Sequence, residues 1–88
     1  MTQNNLKILL VDDVDFFRDV MCDYFRRTPA TIITASDGEE AINLSVNRHF
    51  YIAIVDIHMP GMSGIKLLEH LLKENPSLKA IMLTGGGT

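Results

Sequence analysis

Short apolar runs alternate with longer amphipathic stretches along this chain, and the alternation limits the folds open to it. The runs are LKILLV at 6–11, TIITA at 31–35, YIAIV at 51–55 and AIML at 80–83. They are nearly continuous in apolar or β-branched residues, as expected for strands covered on both faces. Between the first two, Phe17, Val20, Met21, Tyr24 and Phe25 recur at helical spacing. Arg26 and Arg27 suit the last turn of that helix, and Pro29 marks its exit. Ser36-Asp37-Gly38-Glu39 fits a capping box, with Ser36 accepting from the N–H of Glu39, and predicts a second helix over about 37–47. Ile65, Leu68, Leu71 and Leu72 define a third helix that ends before Pro76.

The order is therefore βαβαβαβ. Strands joined through single helices need crossover connections, so the sheet is expected to be parallel with helices on both faces. The 88 residues allow one domain, 1–88, and no more. An apolar content of 47% with 22% charged residues argues against disorder. The net charge of −3 gives no footprint for nucleic acid or anionic lipid. Cys22 is the sole cysteine, which excludes an internal disulfide framework and a Cys-based zinc site. The apolar runs are too short to span a bilayer, and MTQNNLK lacks the pattern of a signal peptide. The expected location is cytoplasmic.

In open parallel sheets, ligands bind beyond the carboxyl ends of the strands, where the strand order reverses. The first run ends in Asp12-Asp13, the third in Asp56 and the fourth in Thr84. If strands one and three are neighbours, three carboxylates meet in one crevice. Like charges at close range are unfavourable unless some are protonated or a cation neutralises them. All-oxygen ligands favour Mg²⁺, or Mn²⁺, over zinc. A carboxylate beside such a metal can attack phosphorus and form an acyl phosphate, with the Thr84 hydroxyl placed to donate to a phosphoryl oxygen.

The segments ILLVDDVDFFRDVM, ASDGEEAI, IVDIHMPGMSGIKLLE and IMLTG, in that order, resemble the receiver domain of two-component response regulators. The resemblance implies a flavodoxin-like doubly wound sheet with strand order 2-1-3-4 in this chain. It implies Asp56 as the phospho-accepting aspartate and Asp12, Asp13 and Asp56 as Mg²⁺ ligands together with the backbone carbonyl of His58. Thr84 would be the switch threonine. Pro60 and Gly64 would shape the loop after Asp56. His58, Met59 and Gly85 would modulate the site. The phosphodonor would be a sensor histidine kinase or phosphotransfer protein, with chemistry confined to the protein's own aspartate.

Receivers have a further helix–strand–helix, and the resemblance implies that this chain stops before it. With it go the strand-five lysine and an aromatic switch residue. Lys7, Lys66, Lys73 and Lys79 do not fit the lysine's place. The fourth strand then becomes an apolar edge, which predicts self-association or an element-swapped dimer. A non-signalling interaction module and a small metal-dependent aspartyl phosphatase are the alternative functions; Asp13-Val14-Asp15 gives the D-x-D of the latter. Asp15 and Asp19 otherwise read as first-turn helix acids. His49 and His70 read as solvent-facing, and Met59, Met62 and Met82 as loop or core contacts.

Overall fold

Four five-residue strands form one parallel sheet in the order β2-β1-β3-β4, the order expected from the sequence. A computed structural model describes residues 6–84. The elements are β1 (Lys7–Val11), α1 (Asp15–Phe25), β2 (Thr31–Ala35), α2 (Gly38–Ser45), β3 (Ile52–Asp56), α3 (Gly64–Glu74) and β4 (Lys79–Leu83). The central strands β1 and β3 carry the buried run: Ile8, Leu9, Leu10 and Val11 beside Ala53, Ile54 and Val55. Alternate residues of each strand face opposite sides of the sheet. Leu9, Val11, Ala53 and Val55 pack with Ala41 of α2 and with Leu67 and Leu71 of α3. Ile8, Leu10 and Ile54 meet Phe17, Met21 and Phe25 of α1 on the other side. The fold is thus a flavodoxin-like three-layer sandwich, with two helices on one face and one on the other.

The uneven covering corrects two helix faces. On α1, Phe17, Met21 and Phe25 reach the sheet, whereas Val20 and Tyr24 are exposed at 46% and 65%. One helix against half a sheet face needs only a narrow stripe, so the wider periodic set is not all used. On α3, Leu67 is fully buried and Ile65 is 55% exposed, the reverse of the expected pattern. The true stripe is Gly64, Leu67, Leu68, Leu71 and Leu72. Its first member is a glycine, which carries no apolar signal in a sequence.

Caps set where the helices begin. The α2 cap lies one residue later than the capping-box reading. Asp37 Oδ1 accepts from the N–H of Glu40 at 2.8 Å, and Glu40 Oε1 accepts from the N–H and hydroxyl of Ser36 at 2.7 and 3.0 Å. A carboxylate at the cap complements the helix dipole better than a hydroxyl does. The shift also puts Gly38 at the first helical position, where an added Cβ would lie 2.9 Å from Met62 Sδ. Ser63 caps α3 by accepting from the N–H of Lys66. At the far end of α3, Asn75 donates its side-chain N–H to the Phe50 carbonyl at 3.0 Å, tying α3 to the approach of β3.

Among the described residues β2 and β4 are the edges of the sheet, and Lys79, Ala80 and Ile81 along β4 are exposed. Below it, an open apolar groove lies between α1's C-terminal end and Ile52, Ile54 and Ile81. No helix among the described residues is long and apolar enough to cross a membrane. The two faces of α3 make a stability contrast. Leu67→Ala should cost about 2–5 kcal/mol, the usual range for a buried leucine, while Ile65→Ala should stay within about 0.5 kcal/mol. Urea unfolding of the two variants measures both, and equal costs would contradict the observed face.

Candidate functional site

Adjacency of β1 and β3 brings the acidic residues together. Val11 pairs with Val55, so Asp12 follows β1 directly beside Asp56, the last residue of β3. One carboxylate oxygen from each of Asp12, Asp13 and Asp56 lies within 4.8 Å of the others. Burial is graded across the set: Asp12 is 6% exposed, Asp56 is half-buried and Asp13 is exposed. Two full charges at that separation repel by about 3 kcal/mol at an effective dielectric of about 20.

The backbone prevents the aspartates from relaxing apart. The N–H of Asp12 donates to the Ala35 carbonyl at 3.1 Å, anchoring it to the end of β2. Asp12 Oδ1 accepts from the N–H of Val14 at 2.8 Å, and Asp56 Oδ1 accepts from the N–H of His58 at 3.1 Å. Both aspartates thus close the same local turn onto the residue two places on. Beyond Asp56, the N–H of Ile57 donates to Leu83 of β4 at 3.0 Å, and the N–H of Gly64 donates back to Ile57 at 2.9 Å. Gly64 sits so close beneath this turn that any Cβ there would overlap the Asp56 carbonyl oxygen. Gly61, with φ of 82°, makes the bend between them.

Burial pushes the Asp12 carboxyl above its ordinary range, the Val14 N–H opposes that, and the negative charges of Asp56 and Asp13 add to it. Arg18 opposes the rise. A buried acid crowded by two others is a group short of positive charge. The cluster offers carboxylate oxygen alone, with no histidine or cysteine in it. That donor chemistry fits a hard divalent cation such as Mg²⁺.

The remaining expected residues are distributed around this crevice. Thr84 follows β4 directly and is exposed, one residue past the Leu83–Asp56 pair. His58 is exposed next to Asp56. Met59 is 9% exposed and packed in the larger core, so it reaches the site only through packing. Met62 and Met82 pack against the same core. Gly85 lies outside the described residues. Lys7 and Lys79 begin β1 and β4, at the opposite end of the sheet, and Lys66 and Lys73 lie on α3. Arg18 was not foreseen. Its signal was present: a cation near the start of a helix opposes the dipole and calls for a local partner.

Two substitutions follow from this geometry. Between the ordinary carboxylate range and the raised value, the native state holds a proton on Asp12 that the unfolded chain has lost. Stability therefore falls as pH rises through that window. Without divalent cations, Asp12→Asn should be more stable than the wild type at pH 7, and the advantage should vanish at pH values below the carboxylate range. Thermal unfolding across pH reads this, and an Asn variant that is less stable at every pH would contradict it. Gly64→Ala forces the Asp56 turn to shift and should cost about 1–3 kcal/mol or more in urea unfolding.

Comparison with known proteins agrees with the geometry. The model of the response regulator receiver domain matches residues 8–88. A cyclic di-GMP phosphodiesterase of Thermotoga maritima is 35% identical over 79 residues, covering 90% of this chain and 21% of that protein. The chain spans about a fifth to a third of the length of the curated relatives it matches. A CheY-like receiver domain protein from Methanospirillum hungatei superposes with a TM-score of 0.89 at 30% identity, over 97% of this chain and 68% of that one. The response regulator TrrA of Thermotoga maritima, 31% identical, has been solved in two complexes. With the histidine kinase ThkA the TM-score is 0.84, over 94% of this chain and 72% of that one. With Mg²⁺ and BeF it is 0.80, over 88% and 67%. The doubly wound sheet, the acidic strand ends and the match along nearly the whole sequence lead to one conclusion: this chain belongs to the response regulator receiver domain family.

Proposed function

We propose that this chain is the phospho-accepting receiver of a two-component phosphorelay, with Asp56 as the acceptor. The observation that carries this reading is the assembly of Asp12, Asp13 and Asp56 from two separate strand ends within 4.8 Å. A merely structural sheet gains nothing from that crowding, and Asp12 is held there against the preference of its own charge. The similarity to TrrA, solved with a histidine kinase and with Mg²⁺ and BeF, supports both the donor class and the metal.

The His58 N–H engages Asp56 Oδ1, and Oδ2 is the proposed attacking atom. In the proposed step, Oδ2 bonds to the phosphorus of a phosphohistidine on a sensor kinase or phosphotransfer protein. The P–N bond breaks, its electron pair returns to the imidazole, and an acyl phosphate remains on Asp56. Asp12, Asp13, Asp56 and the His58 carbonyl are the residues that would hold Mg²⁺, or Mn²⁺. Bound there, the metal supplies charge neutralisation to the phosphoryl oxygens. Thr84, at the end of β4, offers a hydroxyl to a phosphoryl oxygen and is the residue whose rotation would report phosphorylation. The exposed His58 side chain beside the acceptor modulates how long the acyl phosphate survives. The chemistry is confined to the protein's own aspartate, in the cytoplasm, with no turnover of a separate substrate.

Incubation with Mg²⁺ and acetyl phosphate, followed by intact mass, tests this reading. One added phosphoryl group is expected on the wild type and none on Asp56→Asn. An adduct of equal yield on Asp56→Asn, or none on the wild type, would refute Asp56 as acceptor.

A further inference from the structure

We propose that Arg18 is a positioning residue for the metal site: its guanidinium fork braces the turn carrying Asp12 and Asp13, and so sets the affinity for Mg²⁺. The inference rests on the metal reading above and adds a residue to it. Arg18 Nη1 donates to the backbone carbonyl of Asp12 at 2.6 Å, and Nη2 pairs with Asp15 Oδ1. The Arg18 backbone N–H donates to the Val14 carbonyl at 3.2 Å. Side chain and backbone together tie one residue to both ends of the 12–14 segment, which carries two of the three clustered carboxylates.

A second ion pair on the same helix separates this arrangement from an ordinary surface pair. Arg26 and Asp23 have the same i,i+3 spacing, yet their side chains are 72% and 68% exposed. Arg18 is 17% exposed while its partner Asp15 is 86% exposed. The arginine is therefore turned inward, against the turn, and Asp15 holds it there from outside. Its position near the start of α1 is unfavourable for a cation by the helix dipole alone, so the carbonyl and the carboxylate are what keep it in place. Past the last paired residue of β1, the Asp12 carbonyl needs a donor, and Arg18 is one. Groups that orient metal ligands in this way commonly change metal affinity about 10–100-fold when removed.

Charge and geometry make opposite predictions. As a mere neighbouring cation, Arg18 would repel Mg²⁺, so Arg18→Gln would bind it more tightly and Arg18→Lys would not change. As a brace, the planar fork matters, and a single ammonium cannot hold two acceptors in the same fixed arrangement. Both variants should then bind Mg²⁺ more weakly, Arg18→Lys by about tenfold. Urea unfolding of the 88-residue chain at increasing Mg²⁺ measures this through linkage. The free energy without Mg²⁺ reports any purely structural cost, and the Mg²⁺ dependence reports the site. Wild-type binding with an unchanged Arg18→Lys, or a tighter Arg18→Gln, overturns the role of Arg18 and leaves the metal reading intact. No Mg²⁺ dependence in the wild type overturns both. Should a variant not unfold cooperatively, the wild-type side chain decides by NMR. Separate, slowly exchanging Arg18 Nη protons that shift on Mg²⁺ addition support the brace, and one averaged, mobile guanidinium signal overturns it.

Discussion

Three carboxylates of like sign meet in one crevice, with Asp12 and Asp56 anchored there by hydrogen bonds to and around their backbone, and the rest of the molecule is arranged around that constraint. Asp12 is moored to β2 through Ala35, and the turn after Asp56 is moored to β4 through Leu83. All four strands therefore converge on the site, although only β1 and β3 deliver aspartates. The parallel register is what makes this possible, since it puts every strand's carboxyl end on one edge of the sheet. The buried run at Leu9, Leu10, Val11 and Val55 supplies the rigidity. Without that core, mutual repulsion would be relieved by a small movement of either strand end.

Close backbone packing serves the same end. Gly64 is at once the first residue of α3, the head of its buried stripe and the surface on which the Asp56 carbonyl rests. Helix, core and site thus share one residue. Gly38 has a comparable part at the start of α2, where it leaves room for Met62 of the loop after Asp56. The loop between β3 and α3 is held by these contacts, with His58 exposed beside Asp56.

Much of this was legible in the sequence, because the signals were strong where burial is complete. The apolar runs of β1 and β3 define central strands, and the alternation with helices fixes a parallel doubly wound sheet. The acidic strand ends were legible because Asp12, Asp13 and Asp56 put charge where strand propensity would not. The faces of α1 and α3 were less legible. Periodicity counts apolar residues, but Gly64 belongs to a buried face without being apolar, and Val20 and Tyr24 are apolar without being buried. The α2 cap slipped by one because Ser36 and Asp37 are both good caps and each has a glutamate three residues on, Glu39 and Glu40. Arg18 escaped notice because its target is a backbone carbonyl, which has no letter in the sequence.

The central claim is that the acidic crevice is a single metal site built at the switch point of the sheet. A Mg²⁺ titration followed through backbone amide shifts of ¹⁵N-labelled protein tests it most directly. Saturable, single-site shifts should appear at Asp12, Asp13 and Val14 and at Asp56, Ile57 and His58, with the opposite strand ends near Lys7 and Lys79 unmoved. Shifts of similar size at exposed helix acids such as Asp23 and Glu74, or none that saturate, would contradict it.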